Sequence, residues 1–379
     1  MSTTNNNNNI KSQGLAYRDS SGAFSGIDGG TANFVMQSAG TGVAPSFVKP
    51  NMFLTTSGTF NATKGRGYIL TGASTITLPS APTTGDTVSF VCDTASSVVL
   101  TASAGQVISI QAVISNYAGT ATSSTQGNAI TLVYNSGDTS WIANKVIGTW
   151  TLNTFRPNSI TGGYMWIDGA DPLGTGTPPT TGTNVLPVDK MSIRTLAQAT
   201  TSRRPVYDSG VLNSLGCLKS DAAVNTLITA TGSSLTTTNS FILVTQPSSA
   251  ANAYLYGGSS TSDTPAILSN FGGLSYEWFN IGDRYTISAG ATGFNMIEVY
   301  QTDASNVAAL LNGASAFSNT PTVALNGKNV DTIFSSGIGL NVGTFYLAEL
   351  IMYRALLTAA QKTNIRRYIA QKWGLAIAS

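Results

Sequence analysis

Apolar residues in this chain follow two periods, and the second takes over only near the end. Over residues 50–147, short runs alternating apolar and hydroxyl residues fall at 67–70, 75–78, 87–91, 97–100, 106–110, 129–134 and 140–143, separated by Gly, Pro, Asn or Asp. Alternation with period two turns one face of each run to a core, so these runs predict short strands. Strands spaced so closely predict a sandwich or barrel. A second series, at 240–246, 253–256, 274–279, 285–288, 295–300, 308–311 and 331–334, predicts two more stacked antiparallel sheets. Phe345–Tyr353 has neither Gly nor Pro, and predicts a last strand buried on both faces.

Helical spacing then begins. Ile365, Tyr368, Ile369 and Trp373 share one side of a helix, Thr358 and Gln361 have the spacing of a capping box, and Gly374 is placed to end the last turn. One short helix gains little from propensity, so its apolar stripe must lie on a sheet, with Trp373 as the largest buried part. At the other end, residues 1–49 open on the tract Asn5 to Asn9 and carry isolated hydrophobes such as Leu15, Tyr17, Phe24 and Phe47. Too sparse for a core, they predict an arm that orders along a partner, with residues 1–11 disordered. A long Gly/Pro/Thr stretch at 171–187 excludes helix and central strand, and long loops on a rigid sandwich commonly carry binding.

The C-terminal residues Ala348-Glu349-Leu350-Ile351 and Lys372-Trp373-Gly374-Leu375 resemble the closing strand and helix of the concanavalin A-like (laminin G-like) jelly-roll family. Tyr164-Met165-Trp166-Ile167-Asp168-Gly169-Ala170-Asp171 is similar to that family's opening strand, and Arg204-Pro205-Val206-Tyr207 with Gly210, Leu212 and Asn213 to its next block. The three stretches stand in the family's order over residues 152–377, which speaks for fold and hardly at all for activity. The middle pieces GYILT, TITLP, TTGDTVSFV, ASAGQVISI and NAITLVYN are similar to a β-module of phage and viral tail-fibre or capsid-associated proteins. The expected fold is therefore all-β: an extended N-terminal arm (1–49), a small β-sandwich or barrel module (50–147) and a concanavalin A-like jelly roll with a short C-terminal helix (148–379).

Charged residues make up only 9% of the chain and the net charge is +2. Such a neutral surface suits assemblies in which neighbouring copies cover it. Cations are scattered, without a basic stripe carrying aromatics, so nucleic acid is not an expected partner. The local group Lys362, Arg366, Arg367 and Lys372 reads as a solvated helix face. Cys92 and Cys217 read as reduced, buried thiols. The opening MSTTNNNNNIK has no apolar stretch and no long apolar run follows, which predicts neither signal-peptide export nor membrane insertion.

Histidine is absent, which excludes Ser-His-Asp and Cys-His nucleophiles and argues against catalytic zinc. Glu277, Glu298 and Glu349 are far apart, without the E-x-D-x-E spacing of jelly-roll glucanases, and Glu349 reads as structural. Asp168 and Asp171, with Asp189 across the long loop, form a weak calcium candidate; their alternative is to cap loop backbone. No other cofactor is expected. Tyr254 with Tyr256, and Tyr276 with Trp278, each lie at i, i+2 on one face of a strand, where they could stack on sugar rings or fill a core.

These readings, with the resemblances, predict a non-enzymatic structural protein of a virus particle, such as a phage tail fibre, spike or capsid-decorating protein. Its arm would dock on other virion proteins, it would form a homotrimer, and its outward lectin-like domain would attach to a host-surface glycan. The alternatives are a glycan-binding module without a scaffold role and a polysaccharide depolymerase.

Overall fold

In a computed structural model of the chain, the described residues are 53–220, 228–230, 236, 238–247, 253–257, 265–269, 275–280, 283–289, 293–303, 306–320, 332–334 and 344–378, with the strands Leu15–Arg18, Phe24–Ile27, Val35–Gln37 and Ser46–Val48. The expected disorder of residues 1–11 lies outside them. The protein is all-β, with one α-helix among the described residues, Ala359–Trp373 near the C-terminus. Among the described residues no helix is long and apolar enough to cross a membrane. Two compact units form: Met1–Thr101 with Thr122–Tyr134 and Ala143–Thr151, and Ala102–Ala121 with Asn135–Ile142 and Leu152–Ser379. The sequence pattern places one boundary, between residues 147 and 148; in the structure residues 102–121 and 135–142 already belong to the second unit.

In the first unit, strand Phe53–Asn61 runs parallel to Arg66–Thr77, with Phe53 opposite Gly67 and Asn61 opposite Thr77. Arg66–Thr77 lies parallel to Thr87–Cys92 along its first half and to Val98–Thr101 along its second. The runs at 67–70 and 75–78 are thus one strand, which changes neighbour around Gly72. Alternation along Thr87–Cys92 buries Val88, Phe90 and Cys92, and they pack in the unit with Tyr68, Leu70, Leu100 and Leu132 buried around them. Asp86 closes the turn before that strand, its carboxylate accepting from the Thr83 N–H at 2.7 Å, and Gly85 supplies the left-handed φ of +92°.

The second unit is a two-sheet sandwich. One sheet runs Val206–Leu212, Leu215–Lys219, Phe345–Tyr353, Asn239–Pro247, Asn295–Gln301, Val307–Leu311 and Ala314–Asn319, with the opening strand Gly163–Asp168 also paired to Phe345–Tyr353. The other runs Leu196–Ala197, Ile228–Ala230, Thr332–Ile333, Ala253–Gly257, Pro265–Ser269, Ser275–Asn280 and Asp283–Ala289. The closing strand Phe345–Tyr353 is central. Asp168 lies opposite Glu349 on one side, while Ile242 lies opposite Ile351 on the other. Its side chains alternate between two cores, as the pleat requires. Leu350 and Met352 point between the sheets toward Ile228, Ile333, Tyr276 and Trp278; Ala348, Ile351 and Tyr353 face Ile365, Ile369 and Trp373 of the helix.

The helix is bounded as its sequence predicts. The Thr358 side chain accepts from the Gln361 N–H at 3.2 Å and Gln361 Oε1 accepts from the Thr358 N–H at 2.9 Å. Gly374 ends it in the left-handed region at φ 67°. Its basic residues do not form a solvated face. Arg366 pairs with buried Glu298 at 3.0 Å, Arg367 pairs with Asp138, Lys362 sits 3.7 Å over the Tyr300 ring and Lys372 reaches Glu349. The helix stands against a sheet that carries buried carboxylates, and its cations neutralise them. Both cysteines are buried free thiols, and burial pushes Cys217 up to about 12.

Candidate functional site

A knot of charge lies where the opening strand, the closing strand and the helix meet. Glu349 is completely buried. Its Oε1 accepts from Trp166 Nε1 and from the Tyr368 hydroxyl, the latter at 2.9 Å; its Oε2 accepts from Trp373 Nε1 and Lys372 Nζ, each at 2.8 Å. A buried carboxylate is tolerated when every lone pair is met, and here four donors converge on it. Burial pushes the Glu349 carboxyl above its ordinary value, with Lys372 opposing. For Lys372 burial alone would lower the ammonium, but Glu349 and Asp168 outweigh it and hold it above its ordinary value.

Lys372 also reaches Asp168 at 2.6 Å. Asp168 and Asp171 share the Lys190 ammonium, at 2.7 and 2.9 Å. Burial works against the Asp168 carboxylate, but Lys372 and Lys190 prevail and hold it below its ordinary value. These groups floor a groove of about 600 Å³. Its rim includes Leu173 of the 171–187 loop and Val188 just beyond it, both 41% exposed, with exposed Arg156 and Asn158 from the segment entering the sandwich. The groove therefore offers an apolar lip above a floor of matched charges, with Trp166 built into its wall.

The expected calcium candidate is corrected by this arrangement. Asp168 and Asp171 do come together, but on lysine ammoniums, which stand where a bound cation would. Asp189 turns away from them: Oδ1 accepts from the Trp166 and Met191 N–H groups at 2.8 and 2.9 Å, and Oδ2 from Ile193 and Arg194 at 2.9 and 2.8 Å. Its lone pairs go to backbone, the capping role weighed against the metal. Among the described residues, no group of three or more carboxylate or cysteine side chains is placed to hold a metal ion.

The aromatic candidates separate. Tyr276 and Trp278 share a face as their spacing predicts, but that face is the inter-sheet core. Tyr276 is fully buried and donates to the Thr245 carbonyl at 3.0 Å, and Trp278 stacks on Tyr285 with ring centroids 5.6 Å apart. Neither offers a ring face to a sugar, which corrects the surface reading. Tyr254 and Tyr256 lie on strand Ala253–Gly257, opposite Leu268 and Ile333; their side chains, and that of Glu277, lie outside the described residues. Sequence reasoning missed Lys190, Trp166 and Arg156. One signal was present: the A-E-L-I and K-W-G-L stretches are held together by Glu349 with Lys372 and Trp373.

No known sequence family and no curated protein matches the chain. Among solved structures the chain is similar to receptor-binding domains of botulinum neurotoxin. A serotype D binding domain aligns with TM-score 0.37 and 8% identity over 55% of this chain and 50% of that one. A second structure of the neurotoxin D receptor-binding domain gives 0.38 and 9%, over 56% and 53%. A type C neurotoxin, described as dependent on two ganglioside molecules for entering cells, gives 0.34 and 9%, over 55% and 51%. The chain thus spans about half the length of these domains. Likeness at this level carries no argument about function.

Proposed function

We propose that this chain is a non-enzymatic attachment protein of a virus particle whose jelly-roll sandwich binds a glycan in the groove over Lys190 and Lys372. Copies of the chain associate, and the N-terminal arm docks on other virion proteins. The groove carries this reading. A sugar presents a carbon face and a ring of hydroxyls, and the groove presents Leu173 and Val188 above carboxylate and ammonium groups that accept and donate hydrogen bonds. Because the floor charges are already paired, a neutral ligand loses little by displacing water from them. The virion part rests on the sequence: low charge, an opening arm too sparse in hydrophobes for a core of its own, and the β-module resembling fibre proteins.

A polysaccharide-cleaving reading has one observation in its favour. Asp168 and Asp171 sit on one ammonium, at 2.7 and 2.9 Å, which brings two carboxylates together in the groove as glycoside hydrolysis requires. Such a pair needs one carboxyl kept protonated, however, and Asp168 is held in the opposite direction. Glu349, which is pushed upward, is sealed from the groove by its four donors. We therefore favour binding without bond cleavage.

The test is a glycan array with the whole chain, followed by titration of any hit against the Val188→Asp variant, which puts a charge on the apolar lip. Saturable binding that weakens at least tenfold in the variant, with no new reducing ends released, supports the reading. Array silence, or binding indifferent to Val188→Asp, overturns the groove; release of reducing ends overturns the non-enzymatic part. Mass spectrometry of purified particles that fails to find the chain overturns the virion part.

A further inference from the structure

The strand Phe53–Asn61, sequence FLTTSGTFN, is the outermost of its sheet. Among the described strands it pairs only with Arg66–Thr77, which leaves the backbone N–H and C=O groups of its other edge without a described strand beside them. Phe53 and Leu54 are 46% and 48% exposed; as neighbours on a strand they point to opposite faces, so both faces begin with a bare apolar side chain. The Phe53 ring lies over Gly67, whose missing Cβ leaves room for it. Edge strands of monomers are blunted by Lys, by inward charges or by Pro. This one has none of these residues, and its register shift falls only at Thr56 to Gly58, leaving the pairs from Phe53 to Thr56 regular.

We propose that this edge is the contact through which a second copy of the chain is bound, a proposal that rests on the self-association included in the function above. Only another extended backbone satisfies a row of edge N–H and C=O groups, which narrows the occupant to a strand. The strand itself fits that description. It is uncharged from end to end, so two copies meet without repulsion, and a chain with 19 cations and 17 anions adds little net charge to separate them. Pairing would also cover Phe53 and Leu54, which the monomer leaves in water.

Light scattering of the purified chain across a dilution series, with hydrogen exchange of the 53–61 amides at each end of it, tests this. The wild type is expected to show a multiple of the protomer mass and slow exchange at high concentration, and the protomer mass and fast exchange when dilute. Leu54→Lys with Thr59→Lys, both at exposed positions, is expected to give the protomer mass throughout with an unchanged thermal transition. A wild type that is a protomer at every concentration overturns self-association and this contact together. A wild-type multimer that survives both lysines, with 53–61 amides exchanging fast in it, overturns the contact alone.

Discussion

Glu349 Oε2 and Lys372 Nζ meet at 2.8 Å across the junction of the closing strand and the terminal helix, with Glu349 wholly buried. The pair is asymmetric. Glu349 is the shared acceptor for Trp166, Trp373, Tyr368 and Lys372, whereas Lys372 has a second carboxylate in Asp168. Removing the acceptor orphans the three neutral donors and leaves Lys372 with Asp168 as its carboxylate; removing the ammonium leaves Glu349 with the three neutral donors.

Glu349→Leu should therefore cost more than Lys372→Met. Breaking a buried pair by deleting one partner costs about 3–5 kcal/mol, and Glu349→Leu should fall in or above that range. Lys372→Met should cost roughly 1–3 kcal/mol, because the charge left behind keeps hydrogen bonds. Urea denaturation with a common slope measures both. Equal costs would show that the acceptor role is not what holds the junction.

Stability should fall at both ends of the pH scale for separate reasons. Asp168 is held below its ordinary 3.8 in the folded state, so its contribution is present above that value and is lost as pH falls through the lower folded value. Lys372 is held above 10.5, so its contribution is complete below 10.5 and is lost as pH rises through the higher folded value. Glu349, pushed up, has the opposite sign to Asp168: its folded form gains relative stability as it protonates, which softens the acid loss. Denaturation midpoints should thus decline below about pH 4 and above about pH 10.5. In Asp168→Asn the acid limb should shrink; an unchanged limb would assign it to other carboxylates.

Two glycines that look alike in sequence should respond differently. A Cβ on Gly216 would fall on the Tyr207 phenol, and Tyr207 is 2% exposed with no room to move. A Cβ on Gly67 would meet the Phe53 ring at 2.7 Å, but that ring is 46% exposed and can swing outward. Gly216→Ala should cost about 1–3 kcal/mol, as overpacking does, and Gly67→Ala less than about 1 kcal/mol. Thermal melts of the two variants make the comparison, and similar losses would contradict it.

These relationships also mark what the sequence could show. The closing strand and helix were legible because their signals are local: an unbroken apolar run, a T-x-x-Q box, a stripe ending in Trp373. Fold followed from them. The i, i+2 spacing of Tyr276 and Trp278 gave a shared face, but alternation cannot say whether that face meets water or a second sheet. Asp168 and Asp171 were legible as neighbours, while Lys190 and Lys372 arrive from a loop and from the far end of the chain, so their ammoniums were invisible in any window. The run at 75–78 looked separate because Gly72 punctuates it, yet the residues on both sides belong to one strand with successive parallel partners.

The helix ends offer the cleanest separation of local from tertiary energy. Thr358 caps at one end through a single reciprocal pair with Gln361, and Gly374 holds a left-handed φ at the other, where an added Cβ would lie 3.2 Å from the Asn213 side chain. Thr358→Ala should cost about 1 kcal/mol, the usual value of a lost N-cap. Gly374→Ala should cost at least as much, since it adds the left-handed penalty of about 1–2 kcal/mol to that close approach. The two sites lie a full helix apart and share no partner, so the double variant should show the sum of both losses to within about 0.5 kcal/mol. Measured by urea denaturation, a double variant much less destabilised than that sum would mean that the helix detaches as a unit once either end fails.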